Sequence, residues 1–146
     1  MAHCYTGETL LVRAKEELGV KHKIEIRRAA FELDPTFPKG ETIDVPLCVA
    51  RKYGCSLSEA LEKINTVTRM AQEAGIDMKF STAIFNNTRD VHRLLKFAYA
   101  EYGDRLALKL NFALFAAYFI QNLVKEIYAF PILNLTANFQ LADQCS

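Results

Sequence analysis

This 146-residue sequence has little of several things, and each scarcity excludes a class of protein. Charge of one sign is missing. Eighteen Lys and Arg against 17 Asp and Glu leave a net charge of +1, which supplies no basic footprint for nucleic acid or anionic lipid. Cysteine is sparse: Cys4, Cys48, Cys55 and Cys145 are too few and too scattered for a disulfide scaffold. No two of them have the two-residue gap of a zinc knuckle or a dithiol motif, so no metal is expected. Long apolar runs are also absent. Residues 1–7 lack the apolar stretch of a secretory signal, which makes a reducing cytoplasm the expectation. The most apolar segment, Leu106 to Ile120, contains Lys109 and Asn111 and is shorter than the roughly 20 residues a bilayer requires. It is expected to be a buried helix. Neither internal repeats nor low-complexity stretches occur.

What is present is ordinary globular chemistry, 51% hydrophobic and 24% charged. A chain of this length buries a core without metal or disulfides, and a single domain over 1–146 is expected. Leu10, Leu11, Ala14 and Leu18 recur with helical spacing and point to a helix over 5–18 that buries this stripe and ends at Gly19. Cys4 then sits near the start of that helix. Ile24 and Ile26 alternate with Lys23, Glu25 and Arg27, which predicts a strand within 21–33. The breaker-rich stretch Asp34-Pro35-Thr36-Phe37-Pro38-Lys39-Gly40 ends it.

The remainder is expected to be helical. One short helix runs from Ile43 to Tyr53 and closes at Gly54. Ser56-Leu57-Ser58-Glu59 fits a capping box that opens the next helix, with Leu57, Ala60, Leu61, Ile64, Val67, Ala71 and Ala74 inward and Gly75 as the stop. A short extended bridge is expected over Ile76, Met78 and Phe80. Asn87 or Thr88 caps a further helix that buries Val91, Leu94, Leu95, Ala98 and Tyr102 and ends at Gly103; Asp104 caps the last one. The segment 131–141 alternates like a strand, yet Pro131 also suits a first helical turn. A lone strand among helices leaves its backbone groups unpaired unless they stay in water. Either another copy of the chain pairs with it, or its sheet neighbours are not in this sequence.

Several of these pieces, taken in order, resemble the DsbA-like thiol–disulfide oxidoreductases, specifically the FrnE-like branch. Members open with a strand and Cys-Pro-Trp-Cys-Tyr-x-Gly, and Cys4-Tyr5-Thr6-Gly7 matches the end of that motif. Phe31-Glu32-Leu33-Asp34-Pro35 is similar to the exit of the family's next strand. Arg51-Lys52-Tyr53-Gly54, Ala74-Gly75-Ile76, Asn87-Thr88, His92-Arg93-Leu94-Leu95 and Leu114 to Phe119 resemble its inserted helical subdomain. The resemblance tips 131–141 to helix. The fold class it implies is predominantly α with one or few strands, α/β by family. A partial thioredoxin-like helix and strand would occupy 1–40 and a helical subdomain 41–146.

The departures bear on function. Aligned on Cys4, the family's first cysteine falls at Met1, its proline at Ala2 and its tryptophan at His3. The family's first strand, its cis-proline loop and its later strands have no counterpart, so the resemblance implies shortening at both ends. Arg28 stands where the family tends to have tryptophan.

The resemblance implies a dithiol cycle in which the first cysteine attacks a disulfide and the second resolves the product. With Met1 in the first place, Cys4 is the surviving redox residue, aided by His3 when that imidazole is protonated. The expected partner is a protein or small-molecule disulfide; no cofactor, nucleic acid or membrane is required. Two alternatives stand beside this reading. One is a non-catalytic helical module that binds a partner or forms a homodimer through apolar surface. The other is a relative of glutathione-dependent transferases and isomerases, for which the sequence offers no glutathione contacts.

Other candidates have plainer readings. Cys48 and Cys55 are expected as small buried residues, and Cys145 as a free thiol. His22, His92 and Asp90 lack metal spacing on a shared face. Arg27-Arg28 is too short for a nucleic-acid contact. Phe112, Phe115, Tyr118 and Phe119 are expected to build core.

Overall fold

The computed structural model describes residues 2–20, 24, 26 and 28–123. The expectations for His22, Arg27, the 131–141 segment and Cys145 lie outside these residues. Helix α1 spans Ala2–Glu17, α2 Val45–Tyr53, α3 Leu57–Glu73 and α4 Arg89–Phe119. Strands β1 (Thr42–Asp44) and β2 (Ile84–Asn86) pair antiparallel, with Ile43 opposite Phe85. A single 3-10 turn at Phe80–Thr82 leads into β2. The described chain is therefore predominantly helical with one small sheet.

Local chemistry accounts for the joints. Pro46 lies in the first turn of α2, where its missing N–H costs nothing. Gly54 ends α2 with φ of 59°, the left-handed cap that glycine adopts without steric penalty. Two residues on, the capping box is formed in full. The Ser56 hydroxyl accepts from the Glu59 amide, and the Glu59 carboxylate accepts from the Ser56 amide at 2.8 Å. The Ser56 hydroxyl also donates to that carboxylate at 2.7 Å, and this bond, with the one from the Ser56 amide, holds the Glu59 carboxyl below its ordinary range. Helix α4 bends at Gly103, where φ of 78° and ψ of 178° interrupt the helical backbone. Its two arms, 89–102 and 104–119, match the two helices expected from sequence.

The main core gathers Tyr5 from α1, Ile64 and Ala71 from α3, Ile76, Met78 and Ala83 from the connection, and Phe115, Tyr118 and Phe119 from α4. A smaller cluster of Leu94, Ala98, Ala107, Leu110 and Leu114 spans the two arms of α4. The aromatic residues of 112–119 build core, as their spacing predicts.

Four expectations are corrected. Ile43 pairs in β1 rather than opening a helix; its β-branched side chain suits the short ladder that Phe85 completes. The extended bridge expected over Ile76, Met78 and Phe80 stops short of Phe80, which begins the 3-10 turn. No described residue of 21–33 lies in a strand. Ile24 and Ile26 have the alternation, but a ladder needs a neighbour, and the described sheet lies elsewhere. Phe31 is accordingly 71% exposed and Leu33 55%.

The fourth correction concerns the faces of α1 and α4. Ala2, Tyr5 and Thr6 are the buried residues of α1, while Leu10, Leu11 and Leu18 face water. Periodicity locates an apolar stripe but not the body that covers it, and the aromatic arm of α4 meets the start of α1. Tyr102, expected inward, is exposed beside the Gly103 bend, edge-on to exposed Phe97 at 6.3 Å.

Candidate functional site

The start of α1 is fixed by what it buries. The Tyr5 ring stacks on Phe115 at 5.0 Å and on Phe119 at 6.2 Å, and meets Phe112 edge-on at 6.1 Å. Burial pushes the Tyr5 phenol above its ordinary range, so it stays protonated at neutral pH. Thr6 is buried beside it, its hydroxyl donating to the Ala2 carbonyl at 3.3 Å. Successive helical residues are about 100° apart. Anchoring Tyr5 inward therefore turns His3 and Cys4 outward, and both are exposed. Cys4 is the third residue of α1, within the first four amides that helix geometry leaves without an intrahelical acceptor.

One turn further, Glu8 shares a face with Cys4. Its side chain is only 14% exposed, and the Arg28 guanidinium lies against its carboxylate. Arg28 donates to Glu8 Oε1 from Nη2 at 2.6 Å and from Nε at 3.2 Å, and from Nη1 to Asp104 at the α4 bend. Asp104 is thus the acceptor of an arginine drawn from a distant segment. Sequence reasoning missed this trio, whose members are far apart in the chain. The available signal was Arg28 itself, standing where the family tends to have tryptophan.

The other thiols differ in setting. Cys48 and Cys55 are half-buried, and neither is in a disulfide. Burial, reinforced by Asp34, raises the Cys48 thiol above its ordinary range and lowers its thiolate fraction at neutral pH. Surface clefts among the described residues lie away from Cys4. One of about 480 Å³ is lined by Tyr53, Cys55, Glu59, Glu62, Lys63 and Thr66. Another, of about 460 Å³, includes Pro46, Leu47, Leu57 and Leu61. Cys4 lines neither.

The start of α4 is tied down by ion pairs. Arg89 donates to both carboxylate oxygens of Glu32 at 3.0 and 3.3 Å, and Asp90 receives Lys39 at 2.7 Å and Arg93 at 3.4 Å. The Asn87 amide donates to the Phe37 carbonyl at 2.6 Å, and the Phe37 ring meets Phe85 edge-on at 5.0 Å. Together these contacts strap the segment 32–39 across the start of α4. Among the described residues no three His, Cys, Asp or Glu side chains form a metal-binding group, and no helix is long and apolar enough to cross a membrane.

His92 is half-buried beside this strap. Burial lowers its ionisation below the ordinary value of 6.5, with Glu32 opposing. The unfolded chain therefore binds the proton more readily than the folded one, so stability falls as pH drops through about 6.5 and levels off below the folded value. Denaturant midpoints between pH 7.5 and 5 are expected to fall more steeply in the native chain than in His92→Gln. Parallel slopes would refute the assignment.

No protein-family model and no curated protein matches the chain. Among solved structures, a probable DsbA oxidoreductase from Streptomyces coelicolor superposes with a TM-score of 0.71 at 24% sequence identity. The match covers 82% of this chain. The fold is DsbA-like. The chain spans 50% of the length of that DsbA oxidoreductase. On this DsbA-like scaffold the outward Cys4, the covered Glu8 and the forked Arg28 occupy one end of α1.

Proposed function

We propose that this chain is a DsbA-like protein of the FrnE-like branch that exchanges the Cys4 thiol with disulfides of proteins or small molecules. The observation that carries this reading is the exposure of Cys4 in the first turn of α1, fixed by the inward Tyr5, on a DsbA-like fold. The Cys4 thiolate attacks one sulfur of the substrate disulfide. A new S–S bond joins Cys4 to that half, and the other half leaves as a thiolate. Met1, where the family has its attacking cysteine, offers no partner thiol, so a second thiol from solution or from a partner attacks the mixed disulfide and releases Cys4. His3, exposed next to Cys4, favours the thiolate when its imidazole carries a proton.

The test is the rate of reaction with an aromatic disulfide reagent, resolved cysteine by cysteine. Cys4 is expected to react faster than Cys48, Cys55 or Cys145, and Cys4→Ser to abolish the fast phase while Cys48→Ser leaves it intact. Reaction of Cys4 at or below the rate of the others sinks the proposal. A second reading, a helical module that docks through apolar surface, is favoured by Leu18 and Phe31, which are 72% and 71% exposed. It needs no privileged thiol, so the same assay separates the two.

A further inference from the structure

The cleft that Leu47, Leu57 and Leu61 share takes no part in exchange at Cys4. Leu47 comes from the first turn of α2, and Leu57 and Leu61 from the start of α3. They are 43%, 49% and 36% exposed, so three leucines of adjoining helices meet water across about 460 Å³. Of the residues that line this groove only Asp44 is charged. A single exposed leucine is ordinary, but leucines gathered in one groove mark a surface that another body covers.

The chain itself supplies that body. Three residues past α4, Asn122 has φ of 55°, and the Leu123 amide donates back to the Ala117 carbonyl at 2.9 Å. The Asn122 side-chain amide donates to the Thr82 hydroxyl at 2.7 Å, and Thr82 lines the groove. Asn122 Oδ1 is buried with no donor among the described residues, a lack that an amide of the following segment would fill. The described chain thus ends tied to the groove's edge. Residues 124–146 follow, and their only charged side chains are Lys125, Glu126 and Asp143. Ile127, Phe130, Leu133, Leu135, Phe139 and Leu141 are among their large apolar ones.

We propose that residues 124–146 dock in this groove and cover Leu47, Leu57 and Leu61. Even wholly helical, a segment of this length spans roughly 30 Å, enough to cross the cleft. Its tether at Asn122 holds it at a local concentration that a free partner does not reach. The inference is independent of exchange at Cys4.

Photo-crosslinking in the full chain tests it. Benzoylphenylalanine replaces Leu57, or Leu47 should the first variant not fold, and ordinary chains are mixed with isotope-labelled ones before irradiation. The expected product, mapped by mass spectrometry, is a bond within one chain from the probe to a residue of 124–146. Bonds between an ordinary and a labelled chain identify a second copy as the occupant and overturn the proposal. Bonds confined to residues before 124 overturn it too.

Proteolysis of the full chain gives a second readout, because cleavage tracks the undocked population. Leu57→Asp is expected to speed cleavage within 124–146 about tenfold. An acid at the first residue of α3 suits that helix end, so the substitution does not weaken α3 itself. Leu18→Asp, at an exposed leucine of the chain outside the groove, is expected to leave the rate unchanged. An unchanged rate in Leu57→Asp, or an equal acceleration by Leu18→Asp, refutes docking at this groove.

Discussion

Phe119→Ala is expected to lower the free energy of unfolding by about 3–5 kcal/mol, as for other buried aromatics cut back to a methyl group. The ring is fully buried. It packs edge-on against Tyr118 at 4.6 Å and Phe80 at 5.7 Å, tilted against Phe115 at 6.3 Å, and stacked on Tyr5 at 6.2 Å. Its own carbonyl accepts from the Lys79 amide at 2.7 Å, which ties the 3-10 turn to the end of α4. Deleting the ring leaves a cavity where three separate segments meet, and the Lys79 bond restrains the backbone from collapsing into it. Urea midpoints with an unchanged slope are the measurement. A loss under about 1 kcal/mol would show that this junction does not organise the core.

The second large effect is conformational. Gly103→Ala is expected to destabilise by about 1–3 kcal/mol, because φ of 78° with ψ near 180° is a region open essentially to glycine alone. An added Cβ would meet nothing within 4 Å, so no clash contributes and the cost is backbone strain. The variant relieves the strain by straightening α4, which separates Leu94 and Ala98 from Ala107 and Leu110 in the second cluster. A melting temperature equal to that of the native chain would mean that the bend is held by packing and not by the residue at its apex.

The sequence made some of these features readable and concealed others for physical reasons. The Ser56–Glu59 box, the Gly54 cap and the Gly103 break are local, and local chemistry determines them. The face of α1 was not readable: Leu10, Leu11 and Leu18 form a better apolar stripe than Ala2, Tyr5 and Thr6, yet the aromatic arm of α4 covers the latter. The Ile24–Ile26 alternation described a capacity to pair, and pairing depends on a neighbour that a one-dimensional pattern does not specify. Cys4 was singled out as a candidate from its motif. The Glu8–Arg28–Asp104 fork was not, since no periodicity links three residues drawn from separate elements.

The short joint between α2 and α3 has a consequence in chain entropy. Gly54 and the Ser56 box close this helix pair through interactions that span only a few residues, so it costs little chain entropy to form. Docking Tyr5 against Phe115 closes a loop through most of the described chain and comes with the full entropic penalty of that length. Closure within 45–73 therefore carries the smallest chain-entropy cost, and seating the Cys4 end of α1 against α4 carries one of the largest.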